Sequence, residues 1–286
     1  MHRACRVVSW APFPAGALRG ADYNGRMISD PRFSGIDRLY GQGSAARLKL
    51  ASVGVVGVGG VGSWIAEALA RSGVGRITLI DADDICLSNC NRQLPALTGN
   101  FGRGKVVVMA ERLRLINPDL QVTEIGEFLT ASNQDRLLAA GIDLVIDACD
   151  AFRTKVDLIQ WCRRRKLALI VCGSAGGRTD ASKIQIRDLS RTEHDAMLSL
   201  IRKKLRAECG FPRNPERYFG VQAVYSLENV RYPQADGSVC GLRPSAATTL
   251  KLDCGGGLGA AMHITATFAM VAVGRALEKL LAVPTR

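Results

Sequence analysis

Apolar residues in this chain fall into two alternating patterns: short, nearly continuous runs and longer stretches spaced three and four residues apart. Val53 to Val58 is a valine-rich run interrupted only by glycine and closed by a glycine loop, the mark of a buried parallel strand. Val61 to Ser72 follows with apolar residues at 61, 65, 68 and 69, one face of a helix stopped by Gly73, and Ile77 to Ile80 is a second apolar strand ending at Asp81. Together they make a strand–helix–strand unit. The alternation goes on with a helix over Val106–Ile116 ended by Asn117-Pro118, a strand over Val122–Ile125 and a helix over Asn133–Ala140. A strand over Leu144–Cys149, a helix over Thr154–Arg165 and a strand over Leu167–Cys172 complete the series. Strands and helices that alternate in this way predict an α/β fold whose sheet is mostly parallel, Rossmann-like, with helices on both faces.

Beyond Gly173 the pattern loosens. A polar strand is expected over Lys183–Asp188, a helix over Asp195–Ala207, a Pro- and Arg-rich loop over Gly210–Arg217, and a strand pair or extended segment over Val221–Tyr232. Met262–Leu281 reads as a closing helix. The expected organisation is therefore one domain over residues 27–286. Its nucleotide-binding part spans about 50–172, a smaller C-terminal substrate-facing region about 173–261, and the closing helix about 262–281. Residues 1–26 carry four arginines and a short apolar stretch broken by Pro12 and Pro14, a poor signal peptide and a poor helix. They read as a disordered leader, with Met27 as an alternative start.

At 286 residues, with 47% apolar and 22% charged residues, the chain has the composition of a globular protein rather than a disordered or fibrous one. Gly255–Gly274 holds no Asp, Glu, Lys or Arg and is long enough to span a bilayer. Its five glycines, His263, Thr265 and Thr267 favour a glycine-rich loop leading into a buried helix, so membrane association is not expected. Nine scattered cysteines, an odd number, argue against a secreted disulfide framework and for a reducing cytoplasm. None are spaced C-x-x-C, so no structural zinc is expected. The net charge of +12 favours anionic partners without choosing among them.

The chemistry is in the loop Gly57-Val58-Gly59-Gly60-Val61-Gly62. Backbone N–H groups between a strand and a helix N-terminus favour phosphate, and glycine permits close approach. Gly57, Gly59, Gly60 and Gly62 are the candidate phosphate-binding residues, and Asp81, 19 residues after Gly62, could hold a ribose hydroxyl. Such a loop alone would also suit a nicotinamide-dependent oxidoreductase. The continuation is more specific: Asp81 and Asp83, then Ser88-Asn89, Asn91-Arg92-Gln93 and Lys105. Two cations after the ribose-binding strand suit a triphosphate, whose charge must be neutralised before a nucleophile approaches. Asp150, at the end of a later parallel strand, reaches the same crevice, and a carboxylate beside phosphates suggests a metal, most simply magnesium. The bland alternative makes Asp150 a helix cap and Arg92 and Lys105 surface residues.

Gly57 to Gly62, Asp81 and Asp83, Ser88-Asn89, Arg92-Gln93, Lys105, and Asp147 to Asp150 followed by Thr154-Lys155 resemble the ubiquitin-activating-enzyme-like adenylyltransferases. That resemblance implies ATP as substrate, held by the glycine loop with Asp81, Asp83, Asn89, Arg92, Gln93 and Lys105. It also implies Arg92, Lys105 and Asp150 as catalytic residues and Asp150 as the metal or phosphate ligand, with Mg2+ or another cation. A homodimer is implied, in which Arg32 or Arg38 reaches the neighbour's ATP.

Ile184 to Leu189, Tyr232-Pro233, Asp236 to Cys240 and Asp253 through Phe268 resemble the branch of that family that dehydrates threonylcarbamoyladenosine in tRNA. The branch implies ATP-dependent cyclisation of the modification through an adenylated carboxylate, and tRNA as partner. Basic groups at Arg163–Lys166, Arg202–Arg206, Arg213 and Arg217 then become candidate phosphate contacts, although Leu198, Ile201 and Leu205 make the second of these the solvated side of a helix. Cys240 is a candidate contact for a sulfur-relay protein. The alternative within the family is activation of the C-terminus of a small ubiquitin-like sulfur-carrier protein, and outside it a non-catalytic nucleotide-binding module.

Overall fold

The computed structural model describes residues 30–138, 141–234, 236–242 and 258–282. Two short helices, α1 (Ser34–Tyr40) and α2 (Ser44–Leu50), lead into strand β1 (Ser52–Val56) and helix α3 (Gly62–Arg71). There follow β2 (Arg76–Ile80), α4 (Lys105–Ile116), β3 (Gln121–Ile125), α5 (Gln134–Leu137), β4 (Leu144–Asp147), α6 (Phe152–Arg165) and β5 (Ala168–Cys172). The second half adds β6 (Ile184–Asp188), α7 (Ala196–Glu208), β7 (Gln222–Ser226), a small ladder of β8 (Tyr232–Pro233) and β9 (Val239–Cys240), and α8 (Met262–Ala282).

Seven strands form one sheet in the order β3-β2-β1-β4-β5-β7-β6, parallel throughout except for the antiparallel edge pair β6–β7. Alternate residues of the central strands go to opposite faces, and each face has its own core. Val53, Val55, Ile77, Leu79, Leu144 and Ile146 pack with α3, α4 and α8. Val56, Ile80, Val145, Leu169, Val171 and Tyr225 pack with α6 and α7. This double burial is why the strands read as continuous apolar runs. Helix α8 lays Ile264, Phe268, Ala272 and Ala276 in one row against the first core, and its alanines allow close packing on Ala66 and Ala70 of α3.

The fold is the expected mostly parallel α/β sheet with helices on both faces; the differences are local. Helices α1 and α2 had no signal in the sequence: seven residues are too few to show a helical period, α1 buries no residue, and α2 buries only Ser44 and Leu48. The helix expected over 133–140 is regular only from Gln134 to Leu137, with 139 and 140 outside the described residues. The stretch 221–232 is not a strand pair: β7 enters the sheet between β5 and β6, and Tyr232–Pro233 pairs instead with Val239–Cys240. The suggested leader over 1–26 lies outside the described residues, as does 243–257. Among the described residues no helix is long and apolar enough to cross a membrane.

Candidate nucleotide-binding and adenylation site

The sheet reverses its winding between β1 and β4, which are neighbours although β2 and β3 intervene in sequence. Helices after β1 and β2 carry the chain toward one edge, and the next strand begins again on the other side of β1. A crevice at the carboxyl ends of such strands is where doubly wound sheets take ligands. Residues 57–62 leave β1 there, Asp81 leaves β2, and Asp150 follows β4.

Glycine is required in the loop by geometry. Gly57 has φ +85°, and a Cβ on it would stand 2.8 Å from the Cys149 backbone nitrogen. A Cβ on Gly62 would fall 1.8 Å from the Gly57 carbonyl oxygen, closer than any rotamer could relieve. At Gly60 the tightest neighbours are side chains, Arg92 Cγ and Thr265 Cγ2, both 3.2 Å from the ideal Cβ. The loop is thus narrow, backed by the segment after β4 and flanked by Arg92 and the start of α8.

Asp81 does more than wait for a ribose. Its Oδ2 accepts from the Val58 N–H at 2.6 Å and its Oδ1 from the Asp83 N–H at 2.9 Å, so one carboxylate holds both the glycine loop and the turn after β2. Each oxygen keeps a lone pair for a hydroxyl. Lys105, the first residue of α4 and only 6% exposed, donates its Nζ to Asp83 Oδ2 at 2.7 Å. The bland reading of Lys105 as a surface lysine is therefore wrong: a buried ammonium is held in place beside the Asp81 turn.

Arg92 is half-buried, and its guanidinium donates to the Ser88 carbonyl and to Asn91 Oδ1, both at 3.0 Å, with no carboxylate partner among the described residues. Its backbone is pinned by the Trp64 indole N–H, which donates to the Arg92 carbonyl at 3.0 Å. Asn89 is buried, and its Oδ1 accepts from the Cys86 N–H at 3.1 Å, closing the turn that presents Arg92. Gln93 is buried with Oε1 unpartnered among the described residues. Asp150 is exposed in the loop between β4 and α6. Among the described residues no group of three or more His, Cys, Asp or Glu side chains could hold a metal. Asp150 is thus a single carboxylate, which suits Mg2+, a cation that keeps most of its waters and takes substrate phosphates.

Sequence reasoning missed Trp64 and Thr265. A tryptophan three residues into the helix after the loop is a usable signal, because a buried indole N–H needs an acceptor. Thr265 had none, since only the tertiary fold brings α8 beside Gly60. Of the two N-terminal arginines, Arg32 is engaged with Asp30 and Asp119 of its own chain, whereas the Arg38 guanidinium hydrogen-bonds, among the described residues, only Ser34 Oγ at 3.3 Å.

The model of the ThiF family matches residues 35–283. The chain belongs to the ThiF family. Among its curated relatives, the tRNA threonylcarbamoyladenosine dehydratase of Haemophilus influenzae is 48% identical over 252 residues, covering 88% of this chain and 94% of the relative. That of Escherichia coli (strain K12) is 46% identical over 263 residues, covering 91% and 98%. The crystal structure of the E. coli enzyme in complex with ATP matches with a TM-score of 0.78 at 42% identity, covering 90% of this chain and 98% of that one. The match to the ThiF family spans the glycine loop, the Asp81–Lys105 series and the second half alike.

Proposed function

We propose that this chain is an ATP-dependent dehydratase of threonylcarbamoyladenosine in tRNA. The observation that carries the reading is similarity to two such dehydratases over about nine-tenths of this chain, glycine loop and substrate-facing half included. The alternative, activation of a small sulfur-carrier protein, would leave the likeness of residues 184–268 without a purpose.

ATP lies with its phosphates on the N–H groups of Gly57 to Gly62 and its ribose on Asp81, while Asp83, Asn89 and Gln93 shape the turn beneath it. The carboxylate of the modified adenosine attacks the α-phosphorus, the bond to the bridging oxygen breaks, and pyrophosphate leaves. Arg92 and Lys105 neutralise the charge that builds on the phosphates, the role that fixed cations perform best. A bound Mg2+, with Asp150 as its protein ligand, would add positive charge at the same oxygens. An internal nucleophile of the modification then displaces AMP and closes the ring, so that ATP takes up the elements of water. Holding the acyl-adenylate beside that nucleophile, away from solvent, is the protein's main task.

The chain works in the cytoplasm on a tRNA, as a homodimer in which Arg38 reaches the partner's ATP. Arg164, Lys203, Arg213 and Arg217, which have no acidic side-chain partner among the described residues, contact tRNA phosphates. Cys240, half-buried in the small β8–β9 ladder, is the contact for a sulfur-relay protein. The test is direct: incubate the protein with ATP and tRNA bearing the open threonylcarbamoyl group, then digest and weigh the nucleosides. A product lighter by one water supports the reading. ATP–pyrophosphate exchange that depends on a carrier protein's C-terminus, with no change in the tRNA, would overturn it.

A further inference from the structure

A buried ion pair sits directly behind the adenylation crevice and has no part in the scheme above. Asp147, the last residue of β4, and Lys155, in the second turn of α6, are both fully buried, with Lys155 Nζ 3.1 Å from Asp147 Oδ1. Lys155 also donates to the Cys172 carbonyl at 2.8 Å, at the end of β5. Asp147 Oδ1 accepts in turn from the Cys149 N–H at 3.2 Å and from Cys149 Sγ at 3.0 Å. Asp147 Oδ2 has no partner among the described residues. One ammonium therefore ties together the ends of two neighbouring strands and the loop 148–151 that carries Asp150.

A pair of this kind is a poor source of stability, because removing both charges from water costs about as much as their attraction returns. Burial pulls the Lys155 ammonium down, but the neighbouring Asp147 charge outweighs it and holds the group above the usual lysine range. The pair's strength is direction. The loop it fixes is also the wall against Gly57, which approaches the Cys149 nitrogen too closely to admit a Cβ. A shift of that loop by an ångström would move Asp150 relative to the phosphates, whereas the glycine loop keeps its own anchors in Asp81 and the Ile80 carbonyl.

We infer that Lys155 is a positioning residue: through Asp147 it fixes the loop that carries Asp150 to the phosphates of ATP. This rests on the reading of Asp150 given under the proposed function. A double-mutant cycle on single-turnover pyrophosphate release, with ATP and the modified tRNA, tests it. Lys155→Met is expected to slow that step by about 100-fold, the cost of misplacing a reacting group by an ångström, while the KM for ATP changes by less than about 3-fold. In an Asp150→Ala background the same substitution should cost less than about 2-fold, because the group it positions is gone. Equal fold-losses in the two backgrounds would overturn the inference while leaving Asp150 in the mechanism. A fully active Asp150→Ala protein would overturn both. If Lys155→Met alone does not fold, Asp147→Asn with Lys155→Met leaves no uncompensated charge, and the same comparison of backgrounds decides.

Discussion

At the scale of single residues the site is built from groups that hold one another. Gly62 is the least replaceable: Gly62→Ala places a methyl 1.8 Å from the Gly57 carbonyl, so ATP binding measured by calorimetry should be lost while the rest of the sheet survives. Lys105→Met removes the cation proposed to neutralise the phosphates and should lower turnover by about 100- to 1,000-fold, the usual cost of deleting one preorganised electrostatic contact. A loss of less than about 3-fold would return Lys105 to a structural role beside Asp83. The cysteines divide by environment. Burial pushes the Cys162 and Cys172 thiols up to about 12, and it pushes Cys149 up as well, with the Asp147 charge adding to it, so these are inert at neutral pH. Cys86 and Cys90 are exposed. Iodoacetamide at pH 8 followed by peptide mass mapping should label Cys86 and Cys90 well before Cys162 or Cys172.

At the scale of elements, α3 and α4 are joined by Glu67, which is buried and accepts from Arg71 Nε at 2.8 Å and Arg112 Nε at 2.7 Å. Burial alone would raise its carboxyl, but the hydrogen bonds from Arg112 and Arg71 prevail and hold it below the ordinary glutamate value. A carboxylate lowered in the folded state stabilises fully above its unfolded value of about 4.3, and that stabilisation is lost as pH falls through the depressed folded value. Glu67→Gln should therefore cost about 1–2 kcal/mol at pH 7, a loss tempered by the exposure of the two arginines. The gap in melting temperature between the two proteins should narrow steadily below about pH 4.3. A gap that widened instead would mean the carboxyl is not lowered. The packing of α7 offers a second measure: Leu198, Ile201 and Leu205 are fully buried, and Ile201→Ala should cost about 2–4 kcal/mol in denaturant unfolding.

At the scale of the whole molecule, part of the +12 charge is already spent within the fold. Arg163 lies over the Phe211 ring at 4.2 Å, Arg165 over Trp161 at 4.3 Å with Asp135 beside it, and Arg206 over Phe219 at 5.1 Å. Arg163 and Arg206 cover rings of the 211–219 loop and Arg165 covers Trp161 beside α5, so the basic run at 163–166 is not a uniform phosphate-binding patch. The remaining cations still leave a strong field for a polyanion. The KM for tRNA should rise about 10-fold or more between 50 and 200 mM salt, while the KM for ATP, a small ligand with few phosphates, should change far less. Equal salt dependence of both would argue against an extended electrostatic contact with tRNA.

Much of this was legible in the chain itself. Parallel strands buried on both faces must be apolar throughout, so β1, β2, β4 and β5 announced themselves, and the glycines from 57 to 62 marked the tight loop that leaves β1. That Asp81 and Asp150 follow strands, with Arg92 in the loop after β2 and Lys105 at the start of α4, could be read from where the apolar runs stop. What the sequence could not fix were contacts between segments distant along the chain: Thr265 against Gly60, Asn91 against the Ala260 carbonyl, Trp64 beneath Arg92, and Lys155 reaching across to Cys172. Nor could it show that Arg32 reaches Asp119, far away in sequence, as well as its neighbour Asp30. Local pattern records what a residue's immediate neighbours require; which side chain completes a hydrogen bond or an ion pair is decided by the three-dimensional closure of the sheet.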